Sequence, residues 1–77
     1  MNEDDLGNIT YSKEVEALQP YLRKLGKQAV IPEMVQFLRK SYGYKYKFVG
    51  KIQYGEMVAD AKTILIHLGI IRKKDDR

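Results

Sequence analysis

R-K-S-Y-G-Y-K-Y-K-F-V-G-K-I-Q-Y, from Arg39 to Tyr54, decides the fold. A hairpin here adds a sheet to an otherwise helical chain; a loop leaves the helices on their own. The stretch carries Arg39, Lys40, Lys45, Lys47 and Lys51 with no acidic residue, and Tyr42, Tyr44, Tyr46, Phe48 and Tyr54. From Tyr44 to Phe48 aromatic and lysine side chains alternate. In an extended chain successive side chains point to opposite faces. Tyr44, Tyr46 and Phe48 then share one face, and Lys45 and Lys47 the other. Two arrangements fit. Cations attract phosphate and flat rings stack on bases, which suits a nucleic-acid surface. Equally, the aromatics can enter the core of an edge strand whose lysines block aggregation. Gly50 and Gly55 bracket Lys51-Ile52-Gln53-Tyr54, and glycine tolerates turn geometry. The expectation is a short β element near Tyr44–Tyr54.

On the N-terminal side, Pro32 suits the first position of a helix, and Glu33 its first turn. Met34, Phe37, Leu38 and Tyr42 recur at helical spacing. Arg39 and Lys40 then occupy the last turn, where the helix dipole favours cations, and Gly43 ends the helix. Ala29-Val30-Ile31 is expected to be an extended connector.

On the C-terminal side lies the clearest helix, Glu56 to Leu68. Met57, Val58, Ala61, Ile64, Leu65 and Leu68 make one wide apolar face. Gly69 stops it. Ile66 falls almost opposite that face and is a candidate partner contact. Ile70-Ile71 can form a short strand or pack beneath the helices.

Nearer the start, Ser12 is a good N-cap, and Glu14 and Glu16 follow where acids are favoured. Val15, Leu18, Leu22 and Leu25 form an apolar stripe up to Gly26. Pro20 within it predicts a kink or an irregular start. Residues 1–8 read as a flexible acidic tail and 75–77 as a frayed one. Residues 9–74 make a single small basic domain. The expected core is Val15, Leu18, Leu22, Leu25, Val30, Met34, Phe37, Leu38, Met57, Val58, Ala61, Ile64, Leu65 and Leu68.

The chain has 77 residues and no cysteine, so the core is small and has no disulfide or thiolate metal site to support it. The formal net charge is +4. Residues 9–71 hold ten Lys or Arg against five Asp or Glu, so the body is more basic than the total suggests. That is an electrostatic precondition for nucleic-acid binding. The longest apolar run is too short to cross a membrane, and the acidic start is not expected to act as a signal peptide. A soluble, cytoplasmic protein is expected. The absence of Cys and Trp beside many Ile, Tyr and Lys hints at a thermophile.

Catalysis finds little footing. His67 is the one histidine, on the outer flank of the last helix. No Ser/His/Asp spacing and no phosphate-cradling glycine loop is present, and a zinc site lacks ligands. Glu56 and Asp60, four apart, are expected on an exposed helix face. No enzyme activity, metal or cofactor is expected.

The order of elements resembles the winged helix-turn-helix superfamily. Val15–Leu25, Ala29–Ile31, Met34–Leu38 and Met57–Leu68 with the L-G-I-I ending carry the resemblance, which is one of fold. It implies a mainly α, three-helix, winged-helix-like small domain with a short β element. L-G-I-I would be the third helix turning into the first wing strand. The connector ahead of the third helix is longer than the family's tight turn. The family's recognition helix would fall on Glu56–Leu68, whose outer Glu56 and Asp60 oppose phosphate. The basic aromatic stretch is therefore the better interface.

The expected function is non-enzymatic nucleic-acid binding, DNA favoured over RNA, with little sequence specificity. Arg39, Lys40, Lys45, Lys47 and Lys51 would contact phosphates, and Tyr44 and Tyr46 would stack. The alternative is a small accessory subunit of a larger nucleic-acid machine, a polymerase or ribosome, acting through protein contacts. The sequence leaves the homo-oligomeric state open.

Overall fold

The computed structural model describes residues 3–46 and 51–73. Four α-helices follow one another: α1 Glu3–Thr10, α2 Lys13–Leu22, α3 Lys27–Tyr42 and α4 Lys51–His67. A single 3-10 turn, Gly43–Lys45, follows α3. No strand occurs among the described residues.

Helix α1 replaces most of the expected acidic tail. Leu6, Ile9 and Thr10 lie three and four residues apart, so they share a face, and all are buried. Glu3, Asp4 and Asp5 occupy the first turn, where the dipole favours acids. Thr10 closes the helix by donating its hydroxyl to the Leu6 carbonyl (2.7 Å). Ser12 then turns the corner as expected: its Oγ accepts from the Val15 N–H at 3.2 Å. Its own hydroxyl donates to the Ile9 carbonyl at 2.8 Å, tying the two helices together.

Helix α2 buries Val15 and Leu22, with Leu18 at the core's edge. Pro20 lies within it but near its end, and is exposed. Helix α3 starts five residues before the position expected from Pro32. Ala29-Val30-Ile31 is helical, not extended: the N–H groups of Ala29 and Val30 both donate to the Gly26 carbonyl, at 2.9 Å each. Pro32 removes the bond to the Gln28 carbonyl, but its ring is exposed and meets no core. Val30, Met34, Val35 and Leu38 form the buried face.

Helix α4 likewise starts five residues earlier than expected, running through Gly55. Met57, Ala61, Ile64 and Leu65 fill the centre of the core. At its end, the Gly69 and Ile70 N–H groups donate back to the Ile66 and Leu65 carbonyls (3.0 and 2.9 Å). This paired closure needs a left-handed residue, and Gly69 has φ 75°. The turn tucks Ile71 into the core, so Ile70-Ile71 packs beneath the helices and no wing strand forms here. Helix α4 packs against both α3 and α1. Nine of the expected core residues are buried, and Leu18, Leu25, Phe37, Val58 and Leu68 line their edge. Leu6, Ile9, Val35, Tyr46 and Ile71 are further members.

Candidate nucleic-acid interface

The last turn of α3 presents Arg39 and Lys40, both exposed. With Gln36 they line a depression of about 380 Å³. No carboxylate among the described residues pairs with either side chain. Residues three and four positions away are helix-surface neighbours, and none of these is acidic.

Beyond Tyr42 the chain takes the 3-10 turn where a strand was expected. Such a turn rotates about 120° per residue, against the strand's alternation. Tyr44 and Tyr46 therefore part company. Tyr44 is 78% exposed, whereas Tyr46 is 5% exposed. Tyr46 is thus a core residue with no face for stacking. Its hydroxyl donates to Asp60 Oδ2 at 2.7 Å. Burial pushes the Tyr46 phenol well above its ordinary range, and the Asp60 bond and charge add to this. Burial also raises the Asp60 carboxyl; the Tyr46 bond opposes that, and Glu56 adds to it. The expectation that Asp60 shares an exposed face with Glu56 is overturned: Glu56 is exposed and Asp60 is buried.

Lys45 is half-buried. Its Nζ lies 3.4 Å from Asp5 Oδ1 and 6.0 Å from the Tyr42 ring centroid. Tyr42 in turn meets Phe37 edge-on, with centroids 5.8 Å apart. The connector is therefore anchored to α4 by Tyr46 and to α1 by Lys45. Lys47 and Phe48 lie outside the described residues. Lys51 opens α4, and its side chain lies outside them too. Ile66 is half-buried against the core.

The structure brings Arg39, Lys40 and Tyr44 to the surface near one end of α3, and removes Tyr46. The Tyr46–Asp60 bond was missed, although a signal existed. Asp60 stands three residues after Met57 and four before Ile64, so it borders the apolar face. The Lys45–Asp5 pair had no signal, because forty residues separate its members.

His67 is exposed, and with Asp4, Leu6 and Thr63 it lines a depression of about 400 Å³. Among the described residues no group of three His, Asp or Glu side chains is placed to hold a metal ion. Nor is any helix there long and apolar enough to cross a membrane. Comparisons with protein-family models, with curated proteins and with solved structures find no match to this chain.

Proposed function

We propose that this chain binds nucleic acid without catalysis, DNA favoured, by contacting the phosphate backbone through the C-terminal end of α3 and the connector after it. The observation that carries this is the exposed, unpaired Arg39–Lys40 pair flanking an open depression, followed by the exposed Tyr44 ring. Phosphate contacts position a protein without reading sequence. Lys45 is partly engaged by Asp5 and contributes less than Arg39 or Lys40. Lys47 and Lys51 supply further charge in the same stretch.

The test is a salt titration of the isolated protein on duplex DNA. Each neutralised phosphate contributes about −0.9 to the log–log slope, so three or four contacts give roughly −3 to −4. Arg39→Ala with Lys40→Ala makes the slope shallower by about 2 and weakens all sequences alike. Tyr44→Ala costs about 1–3 kcal/mol on single strands, where a base can stack, and little on duplex. Folded protein that binds neither duplex, single-stranded DNA nor RNA at low salt sinks this proposal. The accessory-subunit role then takes its place.

A further inference from the structure

Among Arg39, Lys40 and Lys45, only Lys45 has a described carboxylate beside it. Its Nζ stands 3.4 Å from Asp5 Oδ1, whereas no acid among the described residues pairs with Arg39 or Lys40. The same Nζ lies 6.0 Å from the centroid of the Tyr42 ring, which packs edge-on against Phe37. The cation thus sits where the end of α3, the connector and α1 meet. Asp5 is placed as firmly. It stands in the first turn of α1, and Leu6, Ile9 and Thr10 of that helix are buried. A packed helix, not a loose tail, sets this carboxylate against the connector. The two side chains keep 30% and 35% of their surface exposed. Neither is sealed in, so an anion from solution can reach Lys45.

We propose that Asp5 competes with nucleic acid for Lys45: its carboxylate occupies the place of a backbone phosphate oxygen, and α1 thereby restrains the interface. This deepens the proposed function and rests on it, since the phosphate that Asp5 excludes belongs to the bound duplex. An ammonium group donates to a carboxylate and to a phosphodiester oxygen alike, and charge assists both bonds. A partly exposed pair is worth little in water, so the exchange is open in both directions. A duplex that engages Arg39 and Lys40 gains Lys45 only by displacing Asp5, and so gains little from it. The displaced carboxylate is also left near the phosphates, where like charges repel. Asp4, next along the helix, turns elsewhere and lines the depression with Leu6, Thr63 and His67. The competition therefore belongs to Asp5 and not to the acidity of the first turn as a whole.

The experiment measures the affinity of the whole chain and its variants for a mixed-sequence duplex across a salt series, with the thermal melt of each beside it. Asp5→Asn keeps the shape of the side chain and removes its charge. It should tighten binding by about 1.5- to 5-fold, the worth of a partly exposed ion pair. Lys45 then adds a phosphate contact, and the log–log slope steepens by about 0.9. Asp4→Asn makes the same change in net charge and should tighten binding less, with the slope unchanged. In a Lys45→Ala background, Asp5→Asn should gain no more than Asp4→Asn gains in the wild type. Should Asp5→Asn lower the melt, Asp5→Ser repeats the test with another side chain suited to a helix start. Equal gains from Asp4→Asn and Asp5→Asn, or none from either, overturn the proposal, because no competition for Lys45 is then present. So does a gain that survives Lys45→Ala. Weaker binding by Asp5→Asn overturns it in the opposite sense: Asp5 then holds Lys45 in place for phosphate. Each of these results leaves the proposed function standing, whereas a folded wild type that binds no duplex at low salt removes both.

Discussion

The Tyr46 hydroxyl, donating to Asp60, ties the basic connector to the helix at the centre of the core. A hydrogen bond to a charged group contributes about 1.5–3 kcal/mol, so Tyr46→Phe should lower the unfolding free energy by about that amount. Urea denaturation checks it; an unmoved midpoint means that the hydroxyl does not hold the connector. Asp60 adds a pH dependence of opposite sense to the usual carboxylate. Its folded-state value is raised from 3.8, chiefly by burial. The folded protein therefore holds the proton more tightly than the unfolded chain. The stability from that proton is complete below the unfolded value and is lost as pH rises through the folded one. Asp60→Asn keeps an acceptor for the Tyr46 hydroxyl and removes the charge. Relative to that variant, the wild type should lose stability between acid and neutral pH. A difference that stays constant with pH would show that Asp60 titrates normally.

At the scale of elements, the two helices whose lengths departed from expectation give the sharpest checks. Ile9 is 1% exposed, in a helix that takes in most of the stretch read as a tail. Ile9→Ala should cost about 2–5 kcal/mol by leaving a cavity. A variant as stable as the wild type would make α1 dispensable. Gly55 lies inside α4, is exposed, and has nothing within 4 Å of where a Cβ would stand. Glycine in a helix interior is about 0.8–1 kcal/mol worse than alanine, so Gly55→Ala should raise the thermal midpoint. A fall would show that Gly55 is not held as helix. These departures share a cause. Pro32, Gly55 and the opening acids are local signals, and each suggests a boundary that packing overrides. Pro32 and Gly55 lie on exposed faces, where their cost is a backbone bond or backbone entropy, not a clash with the core. The connector failed differently. Alternation has the same appearance in a strand and across a 3-10 turn, and only the backbone rotation separates Tyr44 from Tyr46. Arg39, Lys40 and Tyr44 were legible because charge and exposure do not depend on that choice.

For the whole molecule, the apolar stripes of α2, α3 and α4 were legible because each repeats at helical spacing through its own element. Leu6 and Ile9 were not, since each has too few apolar neighbours in sequence to set a period, and for Tyr46 and Ile71 a place in the core was one of two readings the pattern left open. They come from the chain's start, connector and end, and close the core around α4. This arrangement predicts how the fold comes apart. At roughly 0.05–0.15 kcal/mol per residue, a domain of this size has a stability of about 4–12 kcal/mol. Leu65 is fully buried in α4, which packs against both α1 and α3. Leu65→Ala should cost about 2–5 kcal/mol, a large share of that total. Because α4 joins its neighbours, the loss should not be local. Helicity by far-UV dichroism and tyrosine fluorescence should shift together to a lower midpoint, in one transition. Subtracting the signal of Tyr46→Phe isolates Tyr46 from the other five tyrosines; that share reports the connector, and the dichroism reports every helix. Separation of the two curves would mean that the connector unfolds apart from the core, and α4 would then not be the element that couples the whole.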